Sequence, residues 1–216
     1  VALLCYILPN TQRLYKASDY DSFDITSEQI RRSRRGYFAN ISYLDDKVGE
    51  LLSVLERTRM LDDTIILFCS DHGDMLGERG LWFKMCFFEG SARVPLMIAG
   101  KGVPAGLVGA PVSNLDVTPT LCDLAGIDTS AIAPWTDGQS LLPLLDGKQR
   151  TAPVLMEYAA EGSNAPLVAI RDGRYKFVHC EIDPPQLHDV EADPHELSNL
   201  ATDPAHADLV AAFMAK

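Results

Sequence analysis

Between residues 26 and 59 the apolar side chains Ile30, Tyr37, Ile41, Leu44, Val48, Leu51 and Leu55 recur at three- and four-residue steps, the period of one face of an α-helix. Thr26 with Gln29 three positions on forms a capping box at its start, and Arg57 and Arg59 suit the negative end of the helix dipole. The period then changes. Residues 64–69 (TIILFC) are continuously apolar and β-branched or aromatic, which predicts a central strand covered on both faces. Residues 93–99 (RVPLMIA) predict a second short strand, followed by a glycine- and proline-rich loop. Residues 116–125 predict a helix with Asp116 as its N-cap and Gly126 just past its end. Residues 10–24 are polar and aperiodic and are expected to be a surface connection, and turn residues dominate 134–150. Residues 153–158, 167–171 and 175–180 predict strands, with Asp172-Gly173 as a hairpin turn between the last two, and 204–216 a short, frayed helix.

A helix followed by a buried strand implies an α/β layer architecture: a mixed sheet with flanking helices, plus a small C-terminal antiparallel subdomain. The length of 216 residues, with 47% hydrophobic and 23% charged residues, fits one globular domain, or one with a subdomain. We divide it at residues 1–150 and 151–216. A formal charge of −11 sets the surface against phosphate backbones and anionic lipid, so neither nucleic acid nor membrane is expected as a partner. The longest apolar stretch, residues 1–8, is far short of the roughly 20 residues a membrane span requires. Five widely spaced cysteines without a CxxC pair favour a reducing compartment, and a cytoplasmic location is expected. The chain opens on Val1, without methionine or a basic leader, and reads as the interior of something longer.

Directly after the first predicted strand stands Ser70-Asp71-His72-Gly73-Asp74. Asp71 and His72 thus sit at the C-terminal end of a strand, where open α/β folds build their ligand sites. A hard carboxylate oxygen beside an imidazole nitrogen suits a divalent cation acting on a phosphoryl or sulfuryl oxygen. The two ligands are fewer than the roughly four to seven a divalent ion takes, and Asp71 could equally cap a turn with His72 in the core. Lys84 lies thirteen residues past Asp71 among apolar and aromatic neighbours, either as a buried ammonium that binds an oxyacid or as a snorkelling side chain. Glu89 and Arg93 are expected to form an i,i+4 ion pair outside the site. Trp82 and Phe83 are assigned to core packing, with an apolar site wall as the alternative.

The stretch SDHGDMLGERGLWFKMCFFEGSARVPLMIAGKG resembles the second signature of the type I sulfatases of the alkaline-phosphatase-like superfamily, and residues 186–200 (QLHDVEADPHELSNL) resemble their closing motif. Within that family, YFANISYLDDKVGELL and MEYAAEGSNAP are most similar to choline sulfatases. The resemblance runs from about Asp19 to Leu200, so this chain is expected to be the C-terminal portion of such an enzyme.

The resemblance implies hydrolysis of a sulfate monoester, with choline sulfate as substrate, by a formylglycine hydrate in a divalent metal site. Asp71 and His72 match the metal ligands, with His72 and Lys84 as catalytic residues and Lys84 also binding a sulfate oxygen. Glu161 resembles the choline-facing glutamate, and without the resemblance it would read as a solvated loop carboxylate. Calcium is the first choice of metal, with manganese or magnesium open because His72 adds nitrogen. None of the five cysteines is followed by x-P-x-R, so the formylglycine is expected in a missing N-terminal part. The alternatives are a phosphonate or phosphate monoester hydrolase of the same superfamily and a non-catalytic fragment. The full-length protein is expected to be a homo-oligomer.

Overall fold

The computed structural model describes residues 8–131 and 133–216. The chain runs α1 (Pro9–Ala17), α2 (Ser27–Arg57), β1 (Ile66–Cys69), α3 (Glu89–Ala92), β2 (Leu96–Ala99), α4 (Val117–Leu124), α5 (Leu142–Leu145), β3 (Val154–Tyr158), β4 (Leu167–Asp172), β5 (Tyr175–Cys180), β6 (Asp183–Asp189) and α6 (Ala207–Met214). The apolar stretch at residues 1–7 and Cys5 lie outside the described residues.

The capping box forms as the sequence requires: Gln29 N–H donates to Thr26 Oγ1, and the Gln29 side chain accepts from the Thr26 N–H at 2.8 Å. The helix it starts spans 31 residues, yet none of them is buried. Phe38, Tyr43 and Leu51 on its surface are exposed. Strand β1 pairs antiparallel with β2, Ile66 opposite Ala99 and Cys69 opposite Leu96. The expected cover on both faces is absent among the described residues: β1 is half-buried and Cys69 is exposed.

The C-terminal sheet has the order β3-β4-β5-β6, antiparallel throughout. Gly173, at φ +53°, makes the hairpin between β4 and β5, a backbone region that glycine enters without steric cost. Strand β6 has no period-2 signature and carries Pro184 and Pro185, which restrict it to the sheet edge it occupies.

Three local readings are corrected. Residues 9–17, expected as a surface connection, form α1; Pro9 starts it, and Asn10, Thr11 and Leu14 are buried. Leu14 joins Tyr20, Met75, Leu81 and Phe88 in one hydrophobic cluster, so α1 is tied to the core by a few contacts that its polar composition conceals. Asp116 does not cap α4 with its side chain. It is fully buried instead and forms an ion pair with Arg150 at 2.7 Å. The C-terminal helix is docked rather than frayed: Phe213 is buried and stacks on Phe177 with ring centroids 5.4 Å apart. Among the described residues, no helix is long and apolar enough to cross a membrane.

Candidate functional site

The site begins where β1 ends. Asn114 Nδ2 donates to Ser70 O at 2.9 Å, and Ser70 Oγ donates to His72 O at 2.9 Å, which pins the turn that follows the strand. His72 N–H donates to Asp71 Oδ1 at 3.0 Å, and this bond is the main cause that holds the Asp71 carboxyl below its ordinary pKa. Asp71 Oδ2 lies 3.4 Å from His72 Nε2.

His72 Nδ1 lies 2.8 Å from Gly73 O. A carbonyl can only accept, so Nδ1 donates to it, and in the neutral ring this leaves the lone pair on Nε2. That is the ring state a metal ion requires, with the Gly73 carbonyl orienting the ligand from behind. Lys84 Nζ approaches this same Nε2 at 2.7 Å. Adjacent Asp71 and His72 and Lys84, twelve residues past His72, therefore converge on one point.

Lys84 is exposed, not buried, which corrects the first reading of it. What holds it is the backbone. Phe83 and Met85 on either side have φ of +63° and +77°, and Leu76 and Arg79 upstream are also left-handed. Bulky residues enter that region at a cost of about 1–3 kcal/mol each, so the surrounding bonds must impose it. Asp74 Oδ1 accepts from Leu76 N–H and Phe83 N–H, Met75 N–H donates to Phe83 O at 2.7 Å, and Arg34 of α2 donates to Leu76 O. Residues 74–83 thus form a closed loop that presents Lys84 at its exit. Trp82 packs against the core cluster as expected, whereas Phe83 is exposed.

The expected Glu89–Arg93 ion pair does not form. Glu89 instead accepts from Lys176 of β5 at 2.9 Å, and Glu196 lies 2.6 Å from the same ammonium. Sequence reasoning missed Lys176 and Glu196. Glu161 sits in the loop after β3, where Tyr158 Oη donates to its backbone carbonyl at 3.0 Å and lies 3.2 Å from Oε2. Burial and this carboxylate push the Tyr158 hydroxyl up to about 12. No hydrogen bond or ion pair among the described residues joins Glu161 to Asp71, His72 or Lys84.

The residues present fit a divalent ion as part of its shell. Asp71 supplies hard oxygen and His72 a neutral nitrogen, while no group of three or more His, Cys, Asp or Glu is assembled among the described residues. A carboxylate, an imidazole and a cation thus stand together at the end of β1. The chain belongs to the sulfatase family: the Sulfatase family profile matches residues 8–127, and that of the C-terminal part of N-sulphoglucosamine sulphohydrolase matches residues 77–216.

It is 69% identical to the choline-sulfatase of Rhizobium meliloti (strain 1021) over 91% of this chain and 38% of that protein. It is 38% identical to arylsulfatase K of Gallus gallus over 82% of this chain and 35% of that protein. The phosphonate monoester hydrolase of Silicibacter pomeroyi superposes with a TM-score of 0.82 at 29% identity, covering 97% of this chain and 46% of that one. The chain thus spans less than half the length of these relatives.

Proposed function

We propose that this chain is the part of a sulfatase that brings Asp71, His72 and Lys84 to the sulfate group, and that the complete enzyme hydrolyses choline sulfate to choline and inorganic sulfate by S–O cleavage. The observation that carries the reading is that Asp71, His72 and Lys84 stand together at the end of β1, in a chain 69% identical to a choline-sulfatase. Asp71 and His72 hold a divalent ion, calcium first with manganese or magnesium as alternatives, which would supply Lewis-acid stabilisation of charge on the sulfuryl oxygens. Lys84 binds a sulfate oxygen as a point charge and stabilises the charge that grows there in the transition state. Gly73 O keeps His72 in the tautomer that can ligate. The nucleophile, a formylglycine, is contributed by residues outside this chain, since no cysteine here is followed by x-P-x-R.

Residues 1–150 act as the C-terminal part of the catalytic α/β domain and 151–216 as the small subdomain, a division supported by the β3–β6 sheet lying within the second part. The free thiols of Cys69, Cys86, Cys122 and Cys180 support a cytoplasmic location, and the exposed apolar residues of α2 support burial against further polypeptide, a homo-oligomer included. A second reading, phosphonate monoester hydrolysis, draws on the 97% coverage by the Silicibacter pomeroyi enzyme, but that match is at 29% identity.

Glu161 tests the substrate. The enzyme for the test is the Rhizobium meliloti choline-sulfatase with its matching portion replaced by this chain, called the joined enzyme below. A carboxylate facing the trimethylammonium group attracts a weakly solvated cation, so Glu161→Gln is expected to reduce kcat/KM for choline sulfate by about 1–3 kcal/mol. An uncharged aryl sulfate should change little. Equal losses on both substrates would make Glu161 a structural residue, and no loss on either would return it to the solvent.

A further inference from the structure

A buried ionic cluster lies behind the site and takes no part in the chemistry described above. Lys176 and Glu196 are 1% and 2% exposed. Lys176 Nζ donates to Phe87 O at 2.6 Å and to Glu89 Oε1 at 2.9 Å, and Glu196 Oε2 accepts from Glu89 N–H at 2.7 Å. Arg79 donates to His195 O and to Glu196 O, with its guanidinium 4.1 Å from the centroid of the Phe88 ring. Two residues of the C-terminal subdomain thus grip the backbone of residues 87–89, just after Lys84.

The same segment touches the other half of the site. Gly73 N–H donates to Ser91 O at 2.7 Å, and Gly73 O accepts from His72 Nδ1 at 2.8 Å. The approach is close enough that a Cβ on Gly73 would lie 2.2 Å from Gly90 O. Glu196 therefore holds Glu89 by a hydrogen bond, the covalent backbone runs on from Glu89 to Ser91, and hydrogen bonds then link Ser91 O to Gly73 N–H and Gly73 O to the His72 ring, while the other end of the segment leads back to Lys84.

Burying such ions costs several kcal/mol each, and well-packed apolar residues of equal volume commonly hold two elements together as well or better. Burial pushes the Glu196 carboxyl up, against the pull of Lys176. What an ionic cluster supplies that an apolar contact cannot is a fixed direction for the backbone groups it bonds.

We infer that Glu196 and Lys176 are positioning residues that set, through the backbone of residues 87–91, where His72 and Lys84 stand. The inference rests on the reading of His72 and Lys84 as site residues. Misplacing reacting groups by a fraction of an ångström is enough to reduce turnover by an order of magnitude or more.

In the joined enzyme, Glu196→Ala is expected to lower kcat for choline sulfate about 10-fold with KM changed less than about 2-fold. Glu196→Gln keeps an oxygen for Glu89 N–H and is expected to recover to within about 3-fold of the native rate. Asp183→Asn serves as the control: it removes the ion pair of Asp183 with Arg13, which joins β6 to α1 without touching residues 87–91. It should lower Tm as Glu196→Gln does but leave kcat within about 2-fold.

Hydrogen exchange of the Gly73 amide gives a readout that does not depend on activity. It should speed up at least 10-fold in Glu196→Ala and stay near native in Asp183→Asn. Unchanged Gly73 protection in Glu196→Ala, or equal kcat losses in Glu196→Ala and Asp183→Asn, would overturn the positioning role. If the native joined enzyme released no sulfate, the functional reading would fail, while Gly73 exchange would still decide whether Glu196 governs the turn.

Discussion

Lys84→Ala in the joined enzyme should lower kcat/KM for choline sulfate by on the order of 10²–10³, and Asp71→Ala by a similar factor, with Tm unchanged in both. The size follows from what each removes. Among the described residues Lys84 is the cation bonded to His72, at 2.7 Å, and in the proposed role it would stabilise the sulfuryl oxygens on which negative charge grows. Among the described residues Asp71 is the carboxylate in ion-pair range of His72, so its loss would leave His72 as the one proposed metal donor. Stability should not move, because both residues are exposed and neither packs in a core cluster. Lys84→Arg should recover little: a planar fork does not replace a compact ammonium held by the left-handed residues Phe83 and Met85. Steady-state kinetics on both substrates check this, and near-native values for both alanine variants would remove Asp71 and Lys84 from the site.

Asp116→Ala should destabilise the protein by about 3–5 kcal/mol, the largest stability effect expected of any side chain described above. Asp116 is fully buried, and its carboxylate accepts from Ser113 N–H and Gln139 N–H, both at 2.8 Å, and from Arg150 at 2.7 Å. Alanine would leave two backbone donors without acceptors and a nearly buried guanidinium without its counter-charge. The turn it knots carries Asn114, whose side chain holds Ser70 O at the start of the site, so the loss is expected to reach the Asp71–His72 turn as well. Denaturant titration measures it. A loss under about 1 kcal/mol would mean that the cluster relaxes around the gap.

The sequence carried the elements whose signals are local. The Thr26–Gln29 box, the continuous run of β1 and the Asp172-Gly173 turn each depend on neighbours within a few residues, and each forms, although β1 lacks the cover on both faces that its apolar run predicts. Asp71, His72 and Lys84 were singled out by residue type after β1 and by the family resemblance, and the structure brings the three together. What could not be read was set by distant partners. Nothing near Asp116 indicates that its partner is Arg150, and nothing near Glu89 indicates Lys176 or Glu196, the last 107 residues away. Helix α1 was missed because Asn10 and Thr11, polar by type, are buried by their surroundings, and β6 because its prolines mask a strand that only the sheet edge permits.

The most direct measurement is sulfate release from choline sulfate by the joined enzyme, followed beside a phosphonate monoester and beside the 216-residue chain alone. The account predicts steady release of inorganic sulfate by the joined enzyme, slower turnover of the phosphonate ester, and no release above the buffer blank by the chain alone, in which no cysteine is followed by x-P-x-R. A folded joined enzyme that releases no sulfate, or that prefers the phosphonate ester, would contradict it, as would turnover by the isolated chain.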